Sequence, residues 1–467
     1  MENKDFKYEN LLSTTRFRKS KIEREVIDEF YSDRSRVLYC SSFRHLQQKA
    51  QVFSLESNSS VRTRMTHSLE VSDLGRTLAN SIGKKLYEKD IISVDTIPQF
   101  VAIVENACLL HDIGNPPFGH FGEAAIRDWA DQNLSVIVPK KLRDSSHYSL
   151  LMSDFKEFDG NPQGIRTVTK LHTETDNSSL NLTYSTILCM LKYSRASGED
   201  FDNGILKKAG YFQSEKAFIE NMYKEVGINP KHRYPLTYIM EAADDIAYCL
   251  SDISDGIEKH ILTCDDFLNE FKNTWELDWK GIKCPVDIPK TVSSFNRDIS
   301  VPWSKQAVSE AVNNYINNHE QFYIGEAVEL IPKDSMGRVF DTIKKVSRKI
   351  LYTSVQAESI ELTGYSVITG ILKHYSRLLK MDIKDFTALV SRQELSGFGL
   401  EKRLFNRIEK RYIKAYKFEI AEYKNRKDYP TYEMWLRVHL IVDHVSGMTD
   451  DFALETYQML EGINLKR

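Results

Sequence analysis

Apolar positions recur at three- and four-residue steps over most of the chain, a period that predicts helices. Leu74, Leu78, Ile82 and Leu86 fall on one stripe, and Val101, Val104, Ala107 and Cys108 on another. Helical patterning also covers about 22–38, 180–193 and 235–260. It continues over about 305–320, 336–357, 357–380, 384–394, 401–424, 430–445 and 450–462. The alternation of a strand is scarce. Arg166-Thr-Val-Thr-Lys-Leu-His-Thr alternates weakly and predicts a short strand or hairpin, within a less regular stretch over 131–180. Residues 1–20 are polar and basic and predict an extended arm. Pro285, Pro289 and Pro302, among polar neighbours, mark the best internal boundary. The expectation is an all-α protein with little β. It has a core over 1–275 that includes the arm, a linker or irregular loop over 276–304, and a helical C-terminal region over 305–467.

Composition narrows the class only slightly. Hydrophobic residues make up 41% of the 467 and charged residues 28%, an ordinary globular balance. A net charge of −3 argues against a chain dominated by nucleic-acid binding, although it allows a local basic groove. The six cysteines form no Cys-x-x-Cys pair, which fits reduced thiols in a cytosolic protein. The N-terminus lacks a signal-peptide pattern, and no run of about 18 apolar residues exists, so the expected location is cytoplasmic, without membrane contact. Both Gly-x-Gly-x-x-Gly and Gly-x-x-x-x-Gly-Lys-Ser/Thr are missing, which disfavours phosphate binding by a Gly-rich loop.

Chemistry concentrates at Asn106-Ala-Cys-Leu-Leu-His111-Asp112-Ile-Gly-Asn-Pro-Pro-Phe-Gly-His120-Phe-Gly-Glu123. An apolar helix ends at His111-Asp112, Gly114 can terminate it, Pro116-Pro117 prevents its continuation, and a second helix restarts near His120. Two further segments carry matching groups. His67 opens the Leu74–Leu86 helix, and the acidic pair Asp244-Asp245 interrupts an otherwise apolar helix. Carboxylates so placed need a partner. Together His67, His111, Asp112 and Asp244 offer two imidazoles and two carboxylates. Such a set suits a divalent ion such as Mn, Fe, Co, Ni or Mg better than a thiolate-loving metal. His120 and Glu123 stand three apart on one helical face, the spacing of a general acid/base with an orienting carboxylate. Tyr248 and Asp252 follow Asp244 at four and eight residues and share its face.

The order His…His-Asp…Asp resembles the signature of HD-domain phosphohydrolases. Longer words are more specific: Leu46-Gln-Gln-Lys-Ala-Gln-Val-Phe53, Arg62-Thr-Arg-Met-Thr-His-Ser68, the His111–Glu123 stretch, Phe158-Asp-Gly-Asn-Pro-Gln-Gly-Ile-Arg166, Glu241-Ala-Ala-Asp-Asp-Ile-Ala-Tyr248 and Ser446-Gly-Met-Thr-Asp450. From about residue 10 to the C-terminus the chain resembles bacterial deoxyguanosine triphosphate triphosphohydrolases. The resemblance implies an HD-domain helical core with an added helical C-terminal half, and metal-dependent hydrolysis of dGTP to deoxyguanosine and tripolyphosphate. It implies a divalent cofactor (Mg, Mn or Co), a hexameric homo-oligomer, and single-stranded DNA as a further partner. It places Gln51 and Val52 at the sugar and base, with Arg44, His45 and Arg64 as weaker candidates in that region. Asn161 is placed at the phosphate or metal shell. Lys208, chosen over Lys207, is placed at the phosphates. Tyr248 stacks on the sugar, and Asp252 lies near its 3′-hydroxyl. Glu361, in Glu-Leu-Thr-Gly-Tyr365, is placed at guanine, and Arg403 near a subunit interface.

Three rival classes remain open to the sequence. One is an HD phosphohydrolase for another nucleotide, which a substrate panel separates. The second is a metal-dependent exonuclease or single-strand-binding protein, which needs a continuous basic groove with stacking aromatics. The third is a regulator with a dead site, which the complete ligand and acid/base sets argue against.

Overall fold

A computed structural model describes residues 7–56, 58–172, 178–201 and 206–463. The principal helices are α1 (Val26–Tyr39), α2 (Arg64–Glu88), α3 (Thr96–Leu110), α4 (Gly119–Ile137), α5 (Tyr148–Lys156), α6 (Gly160–Lys170), α7 (Tyr184–Met190), α8 (Thr237–Glu258), α9 (Cys264–Asp278), α10 (Val301–Asn317), α11 (Met336–Ser347), α12 (Val355–Leu379), α13 (Gly399–Phe405), α14 (Lys410–Tyr423), α15 (Tyr429–Ser446) and α16 (Asp450–Glu461). Pairing of extended chain among the described residues is confined to three isolated bridges, Arg16 with Thr183, Ala50 with Thr63 and Ala196 with Tyr211. The all-α class expected from periodicity is the fold observed.

Local chemistry sets the helix starts. At α2 the Thr63 hydroxyl accepts from the Thr66 amide, and the Thr66 hydroxyl accepts from the Thr63 amide. Such a reciprocal cap contributes about 1 kcal/mol and fixes where His67 points. Helix α3 is buried along most of its length, because it is apolar nearly all round and packs among α1, α2, α7 and α8.

The apolar side chains gather into two large clusters. One draws on α1–α3 and α7–α11, the other on α4, α5 and α12–α16. The turn between α3 and α4 crosses from one to the other, with Ile113 in the first cluster and Phe118 in the second. That crossing carries His111, Asp112 and His120. Within the Pro-rich stretch 276–304, Phe295, Ile299 and Trp303 are buried in the first cluster.

Several local expectations are corrected. The strand or hairpin expected from Arg166 onward is helix α6 through Lys170. Its alternating threonines turn their hydroxyls back on the helix, Thr167 to the Gln163 carbonyl and Thr169 to the Ile165 carbonyl. Pro162 is tolerated because it lies in the first turn. More generally, 131–170 is helical apart from short joints. The N-terminal arm is also not a free extension. Residues 1–6 fall outside the described residues, but Tyr8, Leu11 and Leu12 are buried, and Tyr8 packs edge-on against Phe100 and Tyr323. Buried Arg16 binds Glu29, Asp33 and the Asn181 carbonyl.

One buried cation joins α6 to the C-terminal helices. Arg166 reaches Asp443 at 2.9 Å, Glu419 at 2.8 Å and Glu215 at 3.1 Å. Burial, only partly offset by Arg166, pushes the Glu215 carboxyl up to about 7. Removing the guanidinium leaves carboxylates buried without their cation. Arg166→Ala is therefore expected to cost about 3–5 kcal/mol, read as a lowered midpoint in chemical denaturation. An unchanged midpoint would contradict the role given to Arg166.

Candidate active site

Three of the four expected ligands converge directly. The donor atoms of His67, His111 and Asp244 lie within 4.8 Å of one another. Asp244 Oδ1 is 3.3 Å from His67 Nε2 and 3.5 Å from His111 Nε2. The fourth, Asp112, comes within 3.5 Å of His111 Nε2, while Arg64 at 2.7 Å and Asn115 at 2.5 Å hold its two oxygens.

The residues present fit a divalent ion. His111 Nδ1 donates to the Cys108 carbonyl at 2.7 Å, which places the lone pair on Nε2. That Nε2 is buried and has no hydrogen-bond partner among the described residues. A buried acceptor without a donor costs free energy unless a cation or water meets it. Burial alone would raise the Asp244 carboxyl, but the positive charge that His111 and His67 carry when protonated, together with Lys192, holds it well below the usual carboxylate range.

Of the four candidate ligands, His111, Asp112 and Asp244 line a cavity of about 710 Å³. Gln51, Val52, Asn161, Lys208, Tyr248 and Glu361 line that cavity together with His120 and Glu123. Five expected residues do not: the ligand His67, which is fully buried, the weaker candidates Arg44 and His45, and Asp252 and Arg403. Asp252 is buried behind Tyr352, whose hydroxyl donates to it at 2.5 Å and meets the Tyr248 hydroxyl at 2.6 Å. Burial pushes the Asp252 carboxyl up to about 7. Arg403 is exposed on α13, and its guanidinium bonds to the Gly399 carbonyl of its own helix. A second cavity of about 360 Å³, walled by Phe17, Phe218 and Tyr423, holds none of the candidate residues.

His120 and Glu123 form the pair that their spacing implied. Nδ1 stands 2.9 Å from Glu123 Oε2, and Glu123 Oε1 accepts from the Gly160 amide at 2.8 Å. The carboxylate is buried and fixed, while the His120 side chain is 84% exposed toward the cavity space. The hydrogen bond to Glu123 raises the His120 pKa. The turn that presents His120 is strained at Phe118, which has φ of +61°. A non-glycine residue in that region costs about 1–2 kcal/mol. Gly364 makes room for it, since a methyl there would stand 2.5 Å from Phe118 side-chain carbons.

Residues 64–177 match the HD domain family. The chain is 35% identical to a deoxyguanosinetriphosphate triphosphohydrolase of Salmonella typhimurium (strain LT2), over 95% of each chain. The chain belongs to the deoxyguanosinetriphosphate triphosphohydrolase family. Its relation to the protein of that name from Enterobacter sp. (strain 638) is 34% identity over 95% of this chain and 96% of the relative. A third relative with the same name, from Salmonella arizonae, is 35% identical over 95% of each chain. No helix among the described residues is long and apolar enough to cross a membrane.

The cavity of this family member has walls that sequence reasoning missed. Lys192 lies 3.7 Å from Asp244 and 3.6 Å from Glu241. Its signal was a lone lysine closing the apolar run Ile187–Leu191. Lys344, Arg348 and Tyr352 also line the cavity. They stand four apart, a spacing that would have placed them on one helical face. Asp159 was missed as well. It holds Lys208 at 2.7 Å and both nitrogens of Asn161, at 3.0 Å and 2.6 Å.

Replacing Glu123 by Gln removes the negative charge from the His120 pair and keeps an oxygen for Gly160. The imidazolium then loses its stabilisation, so the His120 midpoint falls toward the ordinary value of about 6.5. Histidine NMR titration of Glu123→Gln reads this directly. A midpoint equal to that of the parent chain would contradict the geometry.

Proposed function

We propose that the chain hydrolyses dGTP to deoxyguanosine and tripolyphosphate, with a divalent metal held by His67, His111, Asp112 and Asp244. The observation that carries the reading is a single cavity lined by His111, Asp112 and Asp244, by the His120–Glu123 pair and by several cations, with His67 meeting Asp244 from the buried side. The relatives' names point to the same reaction.

A divalent ion bound at this set supplies polarisation of the α-phosphate and a water of lowered pKa. The remaining work falls to the chain. Lys192, Lys208, Lys344, Arg348 and Arg64 ring the cavity and suit a polyanion. Asn161, held by Asp159, meets the phosphate or metal shell. Water attacks the α-phosphorus, the bond to O5′ breaks, and O5′ takes up a proton as deoxyguanosine leaves. His120 moves the proton, and Glu123 keeps its ring in place. Gln51 and Val52 contact sugar and base. Tyr248 stacks on the sugar, with Asp252 reaching the 3′-hydroxyl region through Tyr352. Glu361 accepts from the N1–H and exocyclic amine of guanine. Arg403 acts in this reading from a neighbouring copy of the chain, because its own helix places it outside the cavity.

The test is to incubate the chain with each dNTP and Mg, Mn or Co, and to resolve nucleoside, tripolyphosphate and pyrophosphate. Deoxyguanosine with intact tripolyphosphate is expected, and dGMP with pyrophosphate would overturn the reading. Two variants separate the roles. His111→Ala should lose bound metal and turnover with helical content retained. His120→Ala should keep the metal and lose on the order of 10²–10⁴ in kcat. Normal metal occupancy in the first, or an unchanged kcat in the second, would contradict the assignment.

Base choice has its own test. Adenine lacks the donor pair and would leave the Glu361 carboxylate unsatisfied, a mismatch that can discriminate by about 10⁴. Glu361→Ala should depress dGTP hydrolysis far more than dATP hydrolysis. Equal losses on all four dNTPs would make Glu361 a structural residue.

A further inference from the structure

The word Ser446-Gly-Met-Thr-Asp450 lies far from the ligand set in sequence and contributes no side chain to the cavity lining. Its last residue opens α16 and is buried. Asp450 Oδ2 accepts from the Ala50 amide at 3.0 Å, and Oδ1 accepts from the Phe118 amide at 3.0 Å. Ala50 directly precedes Gln51 and Val52, and Phe118 stands two residues before His120. One carboxylate therefore holds two segments of the cavity wall, each by its backbone.

A second bridge closes the same joint. The buried Lys49 ammonium donates to the Asn115 carbonyl at 2.6 Å and to the Ser446 carbonyl at 2.9 Å. The Asn115 amide in turn holds Asp112. Three chain segments, at 49–50, 115–118 and 446–450, thus meet at one buried acid and one buried base. A carboxylate serving only the helix terminus would need none of these contacts, and the neighbouring Asp451 is exposed at the same terminus.

We propose that Asp450 is a positioning residue for the reaction, holding the sugar-and-base wall at Gln51–Val52 and the acid/base wall at His120 in one register. Lys49 fixes the other side of the joint. Asp450 touches no substrate and acts through the Ala50 and Phe118 amides. This proposal rests on the roles given above to Gln51, Val52 and His120.

The experiment uses Asp450→Asn in the full chain. An Asn keeps one acceptor oxygen and turns an NH₂ group toward the other backbone amide, so one of the two bonds must fail. Hydrogen exchange at the Ala50 or Phe118 amide should rise on the order of tenfold or more. With dGTP, kcat should fall by about 10- to 100-fold, and the preference for dGTP over dATP should narrow, while bound metal stays at the parent level. Thr449→Ala is the control. It removes only the cap that the Thr449 hydroxyl offers the Phe452 amide, so it should lower the thermal midpoint and leave kcat and base preference unchanged. A folded Asp450→Asn chain with parental exchange at both amides, or with parental kcat and base preference, would overturn the proposal. If Asp450→Asn does not fold, Lys49→Met opens the joint from the other side, and a parental kcat there would overturn it equally. Failure of the parent chain to hydrolyse dGTP would sink the functional reading alone, since exchange at Ala50 and Phe118 still decides the clamp.

Discussion

A partly buried carboxylate between two imidazoles, one of them fully buried, is the constraint around which the molecule is arranged. Asp244, His67 and His111 are brought together by α8, α2 and the end of α3, and nothing among the described residues satisfies His111 Nε2. Desolvated charge of this kind is costly unless a cation or a tight set of hydrogen bonds meets it. The surroundings limit that cost. The Cys108 carbonyl sets the His111 tautomer, Arg64 and Asn115 hold Asp112, and Lys192 flanks Asp244. The fold delivers ligands already oriented toward a common point, as a metal centre requires.

The same turn that ends α3 carries the site from one apolar cluster to the other. His111 and Asp112 leave the first cluster, and Phe118 enters the second just before His120. The relative placement of the clusters therefore sets the distance between His111–Asp112 and His120. Close backbone approach fixes it further, since a methyl at Gly114 would collide with the backbone of Gly160 and Gly164. Gly160 in turn donates to Glu123. Helix α6 thus braces the ligand turn and the orienting carboxylate together, and Arg166 ties α6 to the C-terminal helices.

Much of this was legible in the residues. The all-α class followed from the three- and four-residue period, and the His120–Glu123 contact followed from a spacing of three on one helix. The set His67, His111, Asp112 and Asp244 follows from residue type and helix context, but no local rule links residues so distant in sequence, and the resemblance to a known order of ligands is what ties them together. Elements whose signal was tertiary were read less well. The polar N-terminal arm hid buried Tyr8 and Arg16, and the threonines of α6 imitated a strand while bonding back along a helix. Lys192 carries no local motif, and only the packing of the segment after α7 brings it beside Asp244. Asp252 shared a helical face with Asp244 and Tyr248, yet Tyr352 from a later segment stands between it and the cavity.

The central claim is that water attacks phosphorus at the α-position and that the bond to O5′ breaks. Hydrolysis of dGTP by the metal-loaded chain in ¹⁸O-labelled water tests it most directly, with mass analysis of both products. The account predicts one ¹⁸O in tripolyphosphate and none in deoxyguanosine. Label in the deoxyguanosine 5′-hydroxyl, or its appearance in dGMP or pyrophosphate, would contradict it.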